Sequence, residues 1–279
     1  MASERFGGTE RLYGRDQTAA LQRSHVVVIG LGGVGSWAAE ALARTAVGQL
    51  TLIDLDDLCV SNTNRQLHAL EGNVGRMKVD VMAERLRAIN PDIQVNAITD
   101  FLTPDNLTTY LDPAPDAVLD AIDSVRVKAA LIHYCKRQRI PLVTTGGAGG
   151  QIDPLKIQVD DLSRTTQDPL AARTRNLLRR EYGFSRNAKR KFGVECVYST
   201  EQLRYPQADG DVCAAKPAPG DSVRLDCATG FGASMMVTAS FGMVAASRMV
   251  DRLLRVAAQA EPTAGDQTEQ KVNPVSTAG

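Results

Sequence analysis

The chain has 279 residues, enough for two domains or for one large α/β unit with an appendage. Its 32 basic and 32 acidic side chains cancel, so neither a uniformly basic nucleic-acid coat nor an acidic disordered solvator fits, and any charge signal must be local. Hydrophobic residues at 43% and charged ones at 23% describe an ordinary folded globule. The five cysteines, Cys59, Cys135, Cys196, Cys213 and Cys227, contain no Cys-x-x-Cys pair, which argues against structural zinc. Their odd number, and a charged stretch from Met1 to Leu21 with no apolar signal core, argue against a secreted disulfide framework. A cytoplasmic protein is expected.

Residues 1–24 read as an N-terminal arm. His25-Val26-Val27-Val28-Ile29-Gly30 is a β-branched run closed by glycine, followed at once by Gly32-Gly33-Val34-Gly35 and a helical stretch from Ser36 to Ala46. Gln49 to Asp54 is a second strand ending in a carboxylate, Met77 to Ile89 an amphipathic helix stopped before Pro91, and Ile93 to Ile98 a third strand. Asp116 to Asp120 is a fourth strand, Ser124 to Arg139 a helix, and Pro141 to Thr145 a fifth strand that runs into the glycines of Gly146 to Gly150. This repeating β-α-β rhythm predicts an α/β protein with a doubly wound, Rossmann-like, mostly parallel sheet over residues 25–150.

Residues 151–257 are expected to add a C-terminal extension with mixed or antiparallel pairing, opened by an alternating strand from Gln151 to Asp160. Segment 164–191 carries nine basic residues (Arg164, Arg173, Arg175, Arg179, Arg180, Arg186, Lys189, Arg190, Lys191) against Asp168 and Glu181. In a neutral chain so one-sided an excess points to a phosphate-rich partner. Ala228 to Ser247 holds no charge for 20 residues, yet three glycines, three serines and two threonines dilute it. The expectation is a buried or dimer-interface helix over 228–247, with Gly230, Gly232 and Gly242 allowing close approach, and no membrane span. The polar tail, 258–279, is expected to be disordered.

The glycines Gly30, Gly32, Gly33 and Gly35 fit a phosphate-binding turn, because a backbone without side chains bends sharply and approaches an anion held at a helix N-terminus. Asp54, 24 residues after Gly30 at the end of the next strand, is placed to accept hydrogen bonds from a ribose. NAD and ATP both satisfy that pair of features. The segments that follow, Asp54-Leu55-Asp56-Asp57, Ser61-Asn62-Thr63-Asn64-Arg65-Gln66 and Gly75-Arg76-Met77-Lys78, favour a triphosphate. Arg65 and Lys78 can neutralise phosphate oxygens as charge moves onto a departing pyrophosphate. Asp123, expected at the end of the fourth strand with Asp120 before it, can hold Mg2+ beside the α-phosphate.

In combination, GLGGVG, LIDLDD, SNTNRQ, a lysine on the following helix and DAID resemble the E1-like adenylating enzymes over about Leu21 to Gly150. The resemblance implies that ATP is attacked at its α-phosphorus by a carboxylate, giving an acyl-adenylate. It implies Arg65, Lys78 and Asp123 as the catalytic set. Gly30, Gly32, Gly33, Gly35, Asp54, Asp56, Asn62 and Gln66 would bind the nucleotide, and Asp123 the metal. Two departures narrow the choice: no Cys-x-x-Cys pairs are present, and Arg5-Phe6-Gly7-Gly8 lacks the second arginine of an Arg-x-x-Arg, leaving Arg11 or Arg15 as candidates to reach a partner subunit.

A closer resemblance, to the bacterial tRNA threonylcarbamoyladenosine dehydratases, extends to about Arg248. It is carried by RFGGTERLYG, SNTNRQLHAL, VTTGGAGGQIDP, QDPLAA and DCATGFGASMMVTASFG. It implies ATP-dependent cyclisation of N6-threonylcarbamoyladenosine at position 37 of tRNA, with net loss of water. Homodimers, a monovalent cation near the Gly146 to Gly150 loop and a sulphur-relay protein partner belong to the same expectation. The alternative is an activator that adenylates the C-terminus of a small sulphur-carrier or ubiquitin-like protein. An NAD-dependent oxidoreductase rests only on the glycine motif and Asp54.

Overall fold

The computed structural model describes residues 2–207, 210–214 and 231–260. The N-terminal arm is helical over most of its described residues: α1 (Ala2–Arg5), α2 (Gly7–Tyr13) and α3 (Arg15–Arg23). Leu21 of α3 is fully buried in the main core, which fastens this region to the body. Then come β1 (His25–Ile29), α4 (Gly35–Arg44), β2 (Gln49–Ile53), α5 (Lys78–Ile89), β3 (Gln94–Ile98), α6 (Leu107–Leu111), β4 (Ala117–Asp120), α7 (Val125–Gln138) and β5 (Leu142–Thr145). The second half supplies β6 (Ile157–Asp161), α8 (Pro169–Glu181), β7 (Glu195–Ser199), the small hairpin β8 (Tyr205–Pro206) and β9 (Val212–Cys213), and α9 (Met235–Ala260).

Seven strands form one sheet in the order β3-β2-β1-β4-β5-β7-β6. All neighbours are parallel except β6, which runs antiparallel to β7. Helices cover both faces, which is why β1 reads as an unbroken apolar run. Val26 and Val28 enter one core with α3, α4, α5 and α9, whereas Val27 and Ile29 enter the other with α6, α7 and α8. Each such valine, fully buried, contributes about 1.5–3 kcal/mol. Connections leave β1 toward β2 on one side and β4 toward β5 on the other, so the order reverses between β1 and β4, the crevice where open α/β sheets bind ligands.

Several expectations about the second half change. The strand expected from Gln151 starts only at Ile157, because Asp153 caps a single tight helical turn at Pro154–Lys156 by accepting the Leu155 N–H. β7, unanticipated, inserts between β5 and β6, and the C-terminal extension continues the same sheet with mixed pairing, as expected. The apolar helix expected over 228–247 is α9, which starts at Met235 and runs on through Arg248 to Ala260; residues 228–230 lie outside the described residues. Charge does not stop it, since Arg248 and Arg252 both pair with Glu195 of β7. A Cβ at Gly242 would sit 2.5 Å from the Val34 carbonyl oxygen, so this glycine serves a close approach of α9 to α4 within the chain. The tail expected from residue 258 is helical as far as Ala260, and 261–279 lie outside the described residues. Among the described residues no helix is long and apolar enough to cross a membrane.

Candidate active site

Because β1, β2, β4 and β5 are parallel, the loops after each emerge at one edge of the sheet, and the glycine turn, Asp54, Asp123 and Gly146 share it. Gly30 adopts φ +85°, and a Cβ there would press on the Ala121 carbonyl oxygen at 2.9 Å. At Gly35 a Cβ would stand 1.8 Å from the Gly30 carbonyl oxygen, so only glycine lets α4 begin this close to β1. Gly32 has nothing within 4 Å of where its Cβ would be, which leaves an open cradle at the start of α4. Gly33 lies under the Arg65 side chain, whose Cγ would be 3.2 Å from a Cβ there.

Asp54 ties the turn to the next loop. Its Oδ2 accepts the Leu31 N–H at 2.6 Å and its Oδ1 the Asp56 N–H at 2.9 Å, leaving lone pairs for a ribose hydroxyl. Burial raises its pKa, against the pull of Lys78 and the two amides. The Lys78 ammonium, only 6% exposed, stands 2.7 Å from Asp56 Oδ2 and 4.0 Å from Asp54 Oδ1. Asp56 is 56% exposed and well hydrated, so Lys78 can exchange it for an incoming phosphate at low cost.

Asn62 and Gln66 are buried in the turn that carries Arg65. The Asn62 Oδ1 accepts the Cys59 N–H at 3.0 Å, whereas the Gln66 Oε1 is buried with no partner among the described residues. Arg65 donates from Nη1 to the Ser61 carbonyl at 2.9 Å and to Asn64 Oδ1 at 3.0 Å. Two supports escape sequence reading: the Trp37 indole donates to the Arg65 carbonyl at 3.0 Å, and Asn64 Nδ2 donates to the Ala233 carbonyl at 3.0 Å. Both are long-range contacts, set only when α4 and the approach to α9 are in place. His68, 1% exposed, has neither ring nitrogen bonded among the described residues, and burial reinforced by Lys78 and Arg85 lowers its pKa to about 4.

Asp123 does not end the fourth strand as expected. β4 stops at Asp120, and Asp123 is exposed in the loop before α7 with no ion pair among the described residues. Asp120 is fully buried: its Oδ2 accepts from Lys128 Nζ at 2.8 Å and Thr144 Oγ1 at 2.6 Å, and its Oδ1 from the Ile122 N–H at 3.0 Å. The two aspartates thus divide the work, Asp120 fixing the strand end and Asp123 facing solvent. No group of three or more metal-ligating side chains occurs among the described residues. A single free carboxylate fits Mg2+, which keeps waters and takes substrate phosphates as ligands, and does not fit a transition metal held by protein alone.

Of the cysteines, Cys135 and Cys196 are buried, and burial pushes the Cys135 thiol up to about 12 and Cys196 upward as well, so both are inert hydrophobes. Cys59 is exposed, and Cys227 lies outside the described residues. Arg5 donates to the Ile89 carbonyl at 2.7 Å, closing the end of α5, while Arg11 and Arg15 are exposed on the N-terminal helices. In the basic segment Arg175 and Arg179 are half-buried: Arg175 Nη1 donates to the Thr165 carbonyl at 3.0 Å, and Arg179 lies over the Phe192 ring. The other seven basic side chains are exposed.

A model of the ThiF family matches residues 9–273. The chain belongs to the ThiF family. It is 58% identical to the tRNA threonylcarbamoyladenosine dehydratase of Escherichia coli over 92% of this chain and 96% of that one. The enzyme of the same name from Haemophilus influenzae is 52% identical over 90% of this chain and 94% of its own. The crystal structure of the E. coli tRNA N6-threonylcarbamoyladenosine dehydratase in complex with ATP superposes with a TM-score of 0.82 at 53% identity, covering 93% of this chain and 97% of that chain. The α/β fold with its mostly parallel sheet is therefore that of these relatives.

Proposed function

We propose that this chain uses ATP to dehydrate N6-threonylcarbamoyladenosine in tRNA. The observation that carries the reading is near-complete coverage of a 58% identical enzyme of that name, joined to the open glycine cradle beside Asp54, Arg65, Lys78 and Asp123. The ATP complex of the E. coli relative supports ATP as the cosubstrate. In this reading Asp54 accepts the ribose hydroxyls, the turn at Gly30 to Gly35 receives the phosphates at the start of α4, and Asp56 releases Lys78 to them. Arg65 and Lys78 aim positive charge where it develops as pyrophosphate departs, which is the largest catalytic contribution open to such a site.

A carboxylate is a poor electrophile, and an AMP ester gives it a leaving group. One threonyl carboxylate oxygen bonds to the α-phosphorus while the bond to pyrophosphate breaks. The carbamoyl group of the same nucleoside then attacks the acyl carbon, AMP departs and one carbamoyl N–H proton passes to solvent, so the ring closes and the oxygen lost as water leaves on AMP. No general base is needed for the first step, since the attacking carboxylate is already ionised. Asp123 would hold Mg2+, which, when bound, neutralises phosphate oxygens. The exposed arginines and lysines of 164–191 suit the tRNA backbone, and the exposed Met235, Met236 and Met243 on α9 suit a homodimer contact.

The test labels the threonyl carboxylate of the modified tRNA with heavy oxygen and follows the label during turnover. One labelled oxygen per cycle should appear in AMP. Label in pyrophosphate, or in water with unlabelled AMP, would rule out adenylation of that carboxylate.

A further inference from the structure

The strands β4, β5 and β7 are consecutive and parallel, so the loops leaving β7 emerge at the edge that carries Asp123, two strand spacings or about 10 Å away. A cleft of about 250 Å³ lies there, and the proposed chemistry makes no use of it. It is lined by Gln167 and Asp168 just before α8, by Arg175 midway along it, and by Gln202, Leu203 and Tyr205 after β7. The Gln167 and Gln202 carboxamides are exposed and make no side-chain hydrogen bond among the described residues. Gln167 is held at φ +56°, a conformation rare for a side-chain-bearing residue. Tyr205 is half-buried and rests on Phe231, ring centroids 5.3 Å apart.

The wall of the cleft is rigid. Asp168 Oδ1 accepts the Ala171 N–H at 2.8 Å and caps α8, while its Oδ2 accepts the Gly147 N–H at 3.0 Å, so the start of the basic helix is clamped to the glycine loop after β5. A Cβ at Gly146 would stand 1.8 Å from that carboxylate oxygen, whereas one at Gly147 would meet only Leu170 at 3.8 Å. Between cleft and Asp123, therefore, runs a stretch of backbone without side chains.

A half-buried aromatic ring, one guanidinium and two free carboxamides form the donor and acceptor set that reads a nucleobase. A polyphosphate would call for more cations and no carboxylate on the wall; an alkyl chain would call for apolar walls. We propose that this cleft is the subsite for the adenine base of the modified nucleoside. The base is turned out of the tRNA loop onto Tyr205, its ring nitrogens meet Gln167 and Gln202, and its acyl arm crosses Gly146–Gly147 toward the α-phosphate. The arm spans four bonds from exocyclic nitrogen to carboxylate carbon, about 5 Å when extended, which carries the carboxylate from the β5–β7 side toward the β4 side. The assignment rests on the proposed dehydratase activity.

Its test is the double variant Gln167→Leu, Gln202→Leu, which keeps the size of both side chains and removes both amides. On modified tRNA kcat/KM should fall by about tenfold to a hundredfold, and inhibition by the free nucleoside N6-threonylcarbamoyladenosine should weaken in parallel. Binding of ATP, and of tRNA carrying a pyrimidine in place of that adenosine, should stay within about twofold of wild type, a split that general disruption of the fold does not produce. Tyr205→Ala, an independent variant at a half-buried position, should lose a similar factor, and Tyr205→Phe should regain most of it. Unchanged kcat/KM in both the double variant and Tyr205→Ala, in an enzyme whose wild type dehydrates modified tRNA, would overturn the subsite alone. Loss of ATP binding equal to the loss of kcat/KM would overturn it too. A wild-type chain that leaves modified tRNA unchanged would instead overturn the functional reading beneath it.

Discussion

Lys78 and Lys128 are both buried ammonium groups at one sheet edge, each within 3 Å of an aspartate, at 2.7 and 2.8 Å. They differ in what surrounds the partner. Asp56, beside Lys78, is 56% exposed, and the ammonium has a second carboxylate, Asp54, 4.0 Å away. Asp120, beside Lys128, has no exposed surface, and Thr144 closes the triangle by bonding both members. An ion pair with one wet member can be traded for a substrate phosphate, whereas one sealed on every side holds a strand end in place. The rim of the candidate site, from β2 to α5, can thus change partners, and its floor, from β4 to α7, is rigid.

The floor gives the largest expected effect. Lys128→Met leaves Asp120 buried without its cation and should destabilise the fold by about 3–5 kcal/mol, measured by urea unfolding. Adding Asp120→Leu should recover much of that loss, because the uncompensated charge goes with it. A single variant as stable as wild type would break the contrast between the two lysines.

At the rim the effect moves from stability to rate. Lys78→Met should cost clearly less stability than Lys128→Met, about 1–2 kcal/mol, since Asp56 keeps its water and Asp54 is left short of only a more distant cation. Its kcat should nonetheless fall by about a hundredfold to a thousandfold, the usual loss when one preorganised charge is removed from a transition state. Equal losses of stability at both lysines, or an active Lys78→Met, would erase the distinction.

His68 sharpens the comparison through pH. Burial, with Lys78 and Arg85 adding to it, lowers the imidazole from its ordinary 6.5 to about 4. Between those values the unfolded chain takes up a proton that the folded chain refuses, so this group leaves stability whole above pH 6.5 and reduces it as pH falls toward 4, by about 3 kcal/mol at most. His68→Phe should flatten that part of the stability profile. A slope that survives the substitution would assign it to another group.

The first half of the fold was legible because each element announces itself locally. The run His25 to Ile29, the turn glycines and the helix stop before Pro91 need no distant partner to be read. β7 was not legible, since Cys196, Val197 and Tyr198 make too short an apolar run to stand out, and their burial comes only from insertion between β5 and β6. The end of α9 was misplaced for a related reason: Arg248 marks a change of charge in sequence, yet in the fold it meets Glu195, more than forty residues away. At the candidate site, the placement of Asp54, Lys78 and Arg65 around the glycine turn follows from motif and spacing. That Asp120 is sealed and Asp123 is free does not, because the partner that seals Asp120 is Lys128 and the lid is Thr144, one on a helix and one on the next strand.

The decisive measurement incubates the purified chain with ATP, Mg2+ and tRNA bearing N6-threonylcarbamoyladenosine, then digests the tRNA and weighs its nucleosides by mass spectrometry. This nucleoside should lose one water, only when ATP is present, and Lys78→Met or Asp123→Ala should largely prevent the loss. An unchanged nucleoside, with ATP consumed only when a small carrier protein is supplied, would contradict the tRNA assignment and hand the adenylation site to a protein substrate.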